Sequence, residues 1–269
     1  MNQDEKRLFL IRSLLRAHPS GAIREIPSDP NAQRLLLRGL MNVRRPGRID
    51  ADFLRIQDEY LQAETAAKGI TDVADLSPIR PGLYLWQGDI TTLRCDAIVN
   101  AANSGMTGCY VPNHCCIDNA IHTFAGVELR QYCEDMMVRQ GSPEPTGRAK
   151  ITPAFNLPCE YILHTVGPIV RGRVTPSDRA QLASCYRACL ALAAQNGVES
   201  VAFCCISTGE FHFPNQLAAE IAVKTVEAFR TQDTSVKKVI FNVFKDVDKS
   251  VYAALLGADG TTEIGTARS

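Results

Sequence analysis

The chain has 269 residues, enough to bury a substantial core, and its 29 lysines and arginines balance 29 aspartates and glutamates. Zero net charge gives no general pull towards nucleic acid or an anionic membrane surface, and no apolar run approaches the ~20 residues of a membrane span. Ten cysteines without regular disulfide spacing, behind an N-terminus lacking a signal-peptide pattern, imply a reducing cytoplasmic setting.

Residues 1 to 80 read as a helical extension. Leu8, Ile11, Leu14 and Leu15 recur at helical spacing, as do Phe53, Ile56 and Tyr60 beside Leu54 and Leu61. The stretch from His18 to Pro30 is rich in Pro, Ser and Asp and reads as a loop. Pro78 and Pro81-Gly82 punctuate the end of the region.

From Leu83 the pattern changes, and residues 81 to 269 read as one α/β domain. Strands are predicted at Leu83–Gln87, Asp96–Asn100, Lys150–Thr152, Tyr161–Val166, Val201–Ile206 and Val239–Phe244. Helices are predicted at Ile117–Val138, Ser177–Asn196 and Asn215–Arg230. Such alternation predicts helices on both faces of a largely parallel sheet. Cys185, Cys189, Cys204 and Cys205 fall inside these elements and read as small buried hydrophobes.

In open sheets of this kind ligands bind beyond the carboxyl ends of strands. The first loop in that position, Asn100-Ala101-Ala102-Asn103-Ser104-Gly105, has small residues that let a ligand approach and two amides that suit sugar hydroxyls. Ser207-Thr208-Gly209 opens another before a helix, where N–H groups and hydroxyls favour an anion. It lacks a P-loop lysine, which argues against nucleoside triphosphate hydrolysis. Between them in sequence lies Cys109-x4-His114-x-Cys116, beside the stiffening Pro112 and just before Asp118. Two thiols and an imidazole on one short loop suit a zinc ion, and three protein ligands leave a fourth position open for catalysis.

Gly88-Asp89-Ile90, Val99-Asn100-Ala101-Ala102-Asn103, Ala120-Ile121-His122, His164-Thr165-Val166-Gly167-Pro168 and Ser207-Thr208-Gly209 together resemble the macrodomain family, from about Leu83 to Leu256. The Gly-Cys-x4-His-x-Cys-Ile-Asp-Asn insertion is similar to that of its zinc-dependent branch, which hydrolyses ADP-ribose from modified proteins and carries a helical N-terminal extension. Asn113 stands where members of that branch often have a further cysteine, which leaves Cys109, His114 and Cys116 as the ligand set. The resemblance implies a three-layer α/β/α sandwich with a mixed, largely parallel sheet. It implies one zinc ion per chain, ADP-ribose and ADP-ribosylated protein as ligands, and a possible partner ADP-ribosyltransferase.

The resemblance also distributes roles. Asp89 receives the adenine amino group with Ile90 beside the ring, and Phe244 covers the base. Ser207, Thr208, Gly209, Glu210 and Phe211 wrap the diphosphate, with Phe211 against the distal ribose. Asn103 hydrogen-bonds that ribose next to the scissile bond. Asp118 orients or deprotonates the attacking water, while His122 and His164 fall to buried structural positions. A carboxylate leaving group makes ADP-ribosyl esters of aspartate and glutamate the expected substrates. Three other readings fit the same residues: a non-catalytic ADP-ribose reader with structural zinc, a hydrolase of O-acetyl-ADP-ribose, and a cysteine nucleophile at Cys115 or Cys116 assisted by His114.

Overall fold

Acidic caps start the helices of the N-terminal region. Asp29 accepts from the backbone N–H of Ala32 ahead of Pro30, and Asp50 accepts from those of Asp52 and Phe53. The computed structural model describes residues 1–17 and 25–257, so residues 18–24 of the loop expected between His18 and Pro30 lie outside it. Three helices result: α1 (Gln3–Ala17), α2 (Pro30–Val43) and α3 (Ala51–Lys68). They share a core of their own, in which Leu10, Ile11, Leu37, Leu40, Phe53, Ile56 and Leu61 are buried together. Burying each such side chain stabilises by about 1.5–3 kcal/mol before conformational entropy is subtracted.

The remaining elements are β1 (Thr71–Asp72), β2 (Leu83–Gln87), β3 (Leu93–Arg94), β4 (Ala97–Ala101), α4 (Ile117–Ala125), α5 (Val127–Gln140), β5 (Ala149–Pro153), β6 (Tyr161–Thr165), α6 (Pro176–Gln195), β7 (Ser200–Phe203), α7 (Asn215–Phe229), β8 (Lys238–Val243) and α8 (Asp246–Leu256). Six strands form one sheet in the order β2-β8-β7-β4-β6-β5, while β1 and β3 pair separately. All pairings in the large sheet are parallel except β5 with β6. Ala97, Ile98 and Val99 of β4 are inaccessible to solvent, as are Val239 and Ile240 of β8. Continuous apolar strands are what a sheet covered on both faces requires. Helices α6, α7 and α8 pack side by side as one layer, and α4 and α5 pack together as the other. The α/β expectation is met, with a mixed and largely parallel sheet.

Two expected elements differ in detail. The helix predicted over Ile117–Val138 is two helices, broken at Gly126, whose φ of 100° suits glycine. A Cβ there would stand 2.7 Å from Gln57 Nε2 of α3, and Gln57 Oε1 accepts the N–H of Val127. The break lets the extension dock. The strand predicted over Val201–Ile206 ends at Phe203, where the backbone leaves the sheet for the Ser-Thr-Gly loop.

Candidate active site

The carboxyl end of β4 carries Asn100, whose side chain turns inward and is fully buried. Its Nδ2 donates to Asp118 Oδ1 at 2.8 Å and lies 3.1 Å from His164 Nδ1. This corrects the expectation that both asparagines of the loop face a sugar. Asn100 instead holds Asp118 from below. With His164 Nδ1 accepting, its Nε2–H donates to Thr152 Oγ1 at 3.0 Å, so His164 is a neutral core residue. Burial holds its pKa down at about 3.

Asn103 is half-buried at the tip of the loop. Its Nδ2 donates to Asp118 Oδ2 at 3.2 Å and to the carbonyl oxygen of Gly108 at 3.1 Å, and its Oδ1 accepts from the N–H of Gly105. Asp118 therefore sits at the first turn of α4 under two amide donors, where the positive end of the helix also favours its charge. Burial pushes its carboxyl up to about 6, against the pull of Asn100, Arg130 and Asn103. His122, one turn on, is buried behind it with Nε2 3.6 Å from Asp118 Oδ1. Burial, reinforced by His164 and Arg130, keeps His122 neutral.

Cys109, His114 and Cys116 bring one ligand atom each to within 4.8 Å of the others. All three are half-buried, and His114 Nδ1 has no hydrogen-bond partner among the described residues. An imidazole with one unpaired nitrogen, standing close to two sulfurs, is a donor set that fits zinc. Cys116 also caps α4, its Sγ accepting from the N–H of Asn119 at 3.4 Å. Cys115, between the ligands in sequence, is exposed and stands outside the trio. A second trio, His122, Cys133 and His164, is also close but wholly buried, and both nitrogens of His164 are already engaged. It is core.

The Ser-Thr-Gly loop reaches the same place. Glu210 Oε1 lies 3.6 Å from His114 Nε2, joining this loop to the cysteine-histidine loop. Ser207 adopts φ 67°, and its hydroxyl is buried with no partner among the described residues. Thr208 Oγ1 is bound to the carbonyl of Cys205, Gly209 is exposed, and Phe211 is half-buried with its carbonyl accepting from Val170. The loop leads through Pro214 into the N-terminus of α7, whose positive end favours an anion.

Asp89 begins a short 3-10 turn and accepts from the N–H and hydroxyl of Thr91. Its other oxygen pairs with Lys68 Nζ at 3.1 Å, from the last turn of α3. Burial raises the Asp89 carboxyl, and Lys68 and Thr91 outweigh that and hold it below the ordinary range. Ile90 is buried beside it. Phe244, just past β8, is 76% exposed and so is not a core residue; its ring is free to cover a flat ligand.

Lys68, Arg38, Asn42 and Arg130 touch the site or its loops, and none is marked by short-range pattern. Arg38 reaches His114 and Asn119 across 76 and 81 positions. Asn119 alone had a local signal, standing within the Cys-Ile-Asp-Asn motif.

The macro domain family model matches residues 99–222. A protein-ADP-ribose hydrolase of Treponema medium is 57% identical over 260 residues, spanning 95% of this chain and all of its own length. The protein-ADP-ribose hydrolase of Staphylococcus aureus is 46% identical over 253 residues, 93% of this chain and 95% of the relative. A Trypanosoma brucei macrodomain solved in complex with ADP-ribose superposes with a TM-score of 0.64 at 26% identity, covering 86% of this chain and 97% of that one. The chain belongs to the macrodomain family, together with these protein-ADP-ribose hydrolases.

Proposed function

We propose that this protein is a zinc-dependent hydrolase that removes single ADP-ribose groups from modified proteins, with aspartate and glutamate esters as its substrates. The observation that carries the reading is the link made by Asn103, one amide of which bonds both Asp118 and the carbonyl of Gly108 next to Cys109. A buried acid, an amide and the loop carrying Cys109, His114 and Cys116 are thus held against one another beyond the end of β4. The relatives at 57% and 46% identity are protein-ADP-ribose hydrolases, which supports hydrolysis of protein-linked ADP-ribose.

In this reading Asp89 and Ile90 take the adenine and Phe244 covers it. Ser207, Thr208, Gly209, Glu210 and Phe211 surround the diphosphate and distal ribose. Cys109, His114 and Cys116 hold the zinc ion, which when bound supplies a Lewis acid for a ribose hydroxyl or a water. Asn103 orients the ribose, and the carboxylate of Asp118 takes a proton from the water that attacks the anomeric carbon. Holding acid and amide fixed before substrate arrives supplies positioning rather than new bonds. The leaving carboxylate is stable as an anion and needs no proton to depart.

The test joins metal analysis to a hydrolysis assay on a protein automodified at acidic residues, run beside a serine-linked substrate. About one zinc per chain, release of ADP-ribose from the ester alone, and loss of release in Asp118→Ala are expected. Equal turnover after complete zinc removal would sink the zinc dependence, and equal turnover in Asp118→Ala would sink the role of the acid.

A further inference from the structure

Helix α2 of the N-terminal region lies against the loop that carries Cys109, His114 and Cys116. A Cβ added at Gly39 would stand 3.6 Å from Pro112 Cβ and 3.4 Å from Asn113 Nδ2, so helix and loop are in contact there. Arg38 Nη2 donates to the carbonyl oxygen of His114 at 3.0 Å and to Asn119 Oδ1 at 2.9 Å. One turn further along, the buried Asn42 accepts the N–H of Asn113 on Oδ1 and donates through Nδ2 to Thr123 Oγ1, both at 2.9 Å.

A second brace runs from the end of the same helix. Arg130 Nη1 donates to the carbonyls of Asn42 and Arg44, and its Nη2 reaches that of Cys109 at 3.4 Å. Asn119, gripped by Arg38, donates to the carbonyl of Val111 at 3.0 Å. Backbone groups at Cys109, Val111, Asn113 and His114 are therefore held by side chains from outside the loop. Asn113 itself has φ 56°, in the left-handed region that asparagine enters more readily than other side-chain-bearing residues.

We infer that α2 is the outer shell of the metal centre, and that Arg38 and Asn42 are positioning residues that set the affinity for a zinc-like divalent cation. The inference rests on the zinc reading above. The three ligands lie within one short loop, so the freedom that loop must lose on binding metal weakens the site unless it has been lost already. Arg38 and Asn42 remove that freedom beforehand, in the way that partners of metal ligands commonly govern affinity. The N-terminal helices then serve the metal loop directly, beyond supplying Lys68 to Asp89.

Zinc affinity of the full, metal-stripped chain, measured by competition with a chromophoric chelator, tests this. Wild type, Arg38→Ala, Arg38→Lys and Asn42→Ala are compared with Arg55→Ala, a change on the exposed face of α3. ADP-ribose binding to each metal-free protein is measured by calorimetry. Arg38→Ala and Asn42→Ala are expected to bind zinc about 10–100-fold more weakly, with ADP-ribose affinity within about twofold of wild type. Arg38→Lys, lacking the two-pronged fork, is expected to fall between, and Arg55→Ala to match wild type. Wild-type zinc affinity in Arg38→Ala overturns the inference, as does a parallel loss of zinc and ADP-ribose binding, which marks general damage. Because Arg38 is half-buried, its variants decide the matter if Asn42→Ala fails to fold. A wild type that takes up no zinc brings down the zinc reading and this inference together, a result distinct from the other two.

Discussion

Asn103 Nδ2 lies 3.2 Å from Asp118 Oδ2, and the opposite oxygen of Asp118 receives Asn100 Nδ2 at 2.8 Å. Each carboxylate oxygen is thereby tied to a different end of the β4 loop, which fixes both the plane of the acid and its distance from the cysteine-histidine loop. The two amides have unequal parts. Asn100 is buried and bonds Asp118 and His164, whereas Asn103 is half-buried and is the amide that the proposed reading assigns to the ribose.

That asymmetry sets the expectation for the first pair of variants. Asp118→Ala is expected to lower kcat by about 10²–10⁴-fold, the span for a lost general base. Asn103→Ala is expected to lose less, through kcat and KM together, since it bonds the acid and, in the proposed reading, the sugar. Steady-state kinetics on an ADP-ribosylated protein would separate them. An Asp118→Ala enzyme at full speed removes the acid from the mechanism.

The cysteine-histidine loop and the acid are joined through Asn103, so under the proposed reading they are expected to act as one unit. Cys116→Ser leaves a poorer ligand, and its turnover at limiting zinc is expected to fall. Combined with Asp118→Ala, it is expected to cost little more than the slower single change, because groups that act together do not add. Rate losses that multiply cleanly in the double variant would mean two independent contributions and break the link drawn through Asn103.

Gly167 offers a test of the anion loop from behind. A Cβ there would overlap Ser207 Oγ and stand 2.9 Å from Ile206 Cγ2. Gly167→Ala should therefore displace the buried Ser207 hydroxyl and weaken ADP-ribose binding. Overpacking of this kind destabilises by about 1–3 kcal/mol. Calorimetry and thermal melting check the two effects, and unchanged ADP-ribose affinity would mean that Ser207 lies outside the ligand's reach.

The pattern of short apolar runs announced the sheet, because strands buried on both faces must be apolar throughout. It also announced the clustering of the three loops, since parallel strands deliver their following loops to one edge. What it did not announce is long-range. Asn100 looked like a partner for sugar because nothing local distinguishes an amide turned inward from one turned outward. The single helix expected at Ile117–Val138 was divided by a contact between Gly126 and Gln57 of a different helix. Arg38 and Asn42 gave no signal, since their importance lies in backbone groups some 70 positions away.

Lys68 brings the N-terminal helices to Asp89, pairing with it at 3.1 Å while its ammonium lies 3.3 Å from the centre of the Phe124 ring. Lys68→Met removes the cation and leaves burial to act on the acid. The Asp89 carboxyl is expected to titrate at higher pH than in wild type when followed by carbon-detected NMR. Global stability is expected to change by less than about 1 kcal/mol, since both partners are part-exposed. An unmoved Asp89 titration would show that Thr91 alone holds its charge.

His164 gives the pH dependence a defined sign. Its pKa is held down at about 3 in the folded protein by burial, against 6.5 for a free imidazole. Between those values the unfolded chain carries a proton that the folded chain lacks, so stability falls as pH drops below about 6.5 and stops falling near 3. The slope expected from one such group is about 1.4 kcal/mol per pH unit. His122, also lowered, works in the same direction, while Asp118, raised to about 6, works in the opposite one. A comparison isolates His164 from both. His164→Gln can still accept from Asn100 and donate to Thr152, and it keeps His122, Asp118 and Arg130 in place. Urea unfolding of both proteins between pH 4 and 6 should show a shallower pH slope in the variant, by about one proton, whatever its constant offset in stability. Parallel slopes would mean that His164 is protonated in the folded core, which would leave its Nδ1 a donor, unable to accept from Asn100 beneath Asp118.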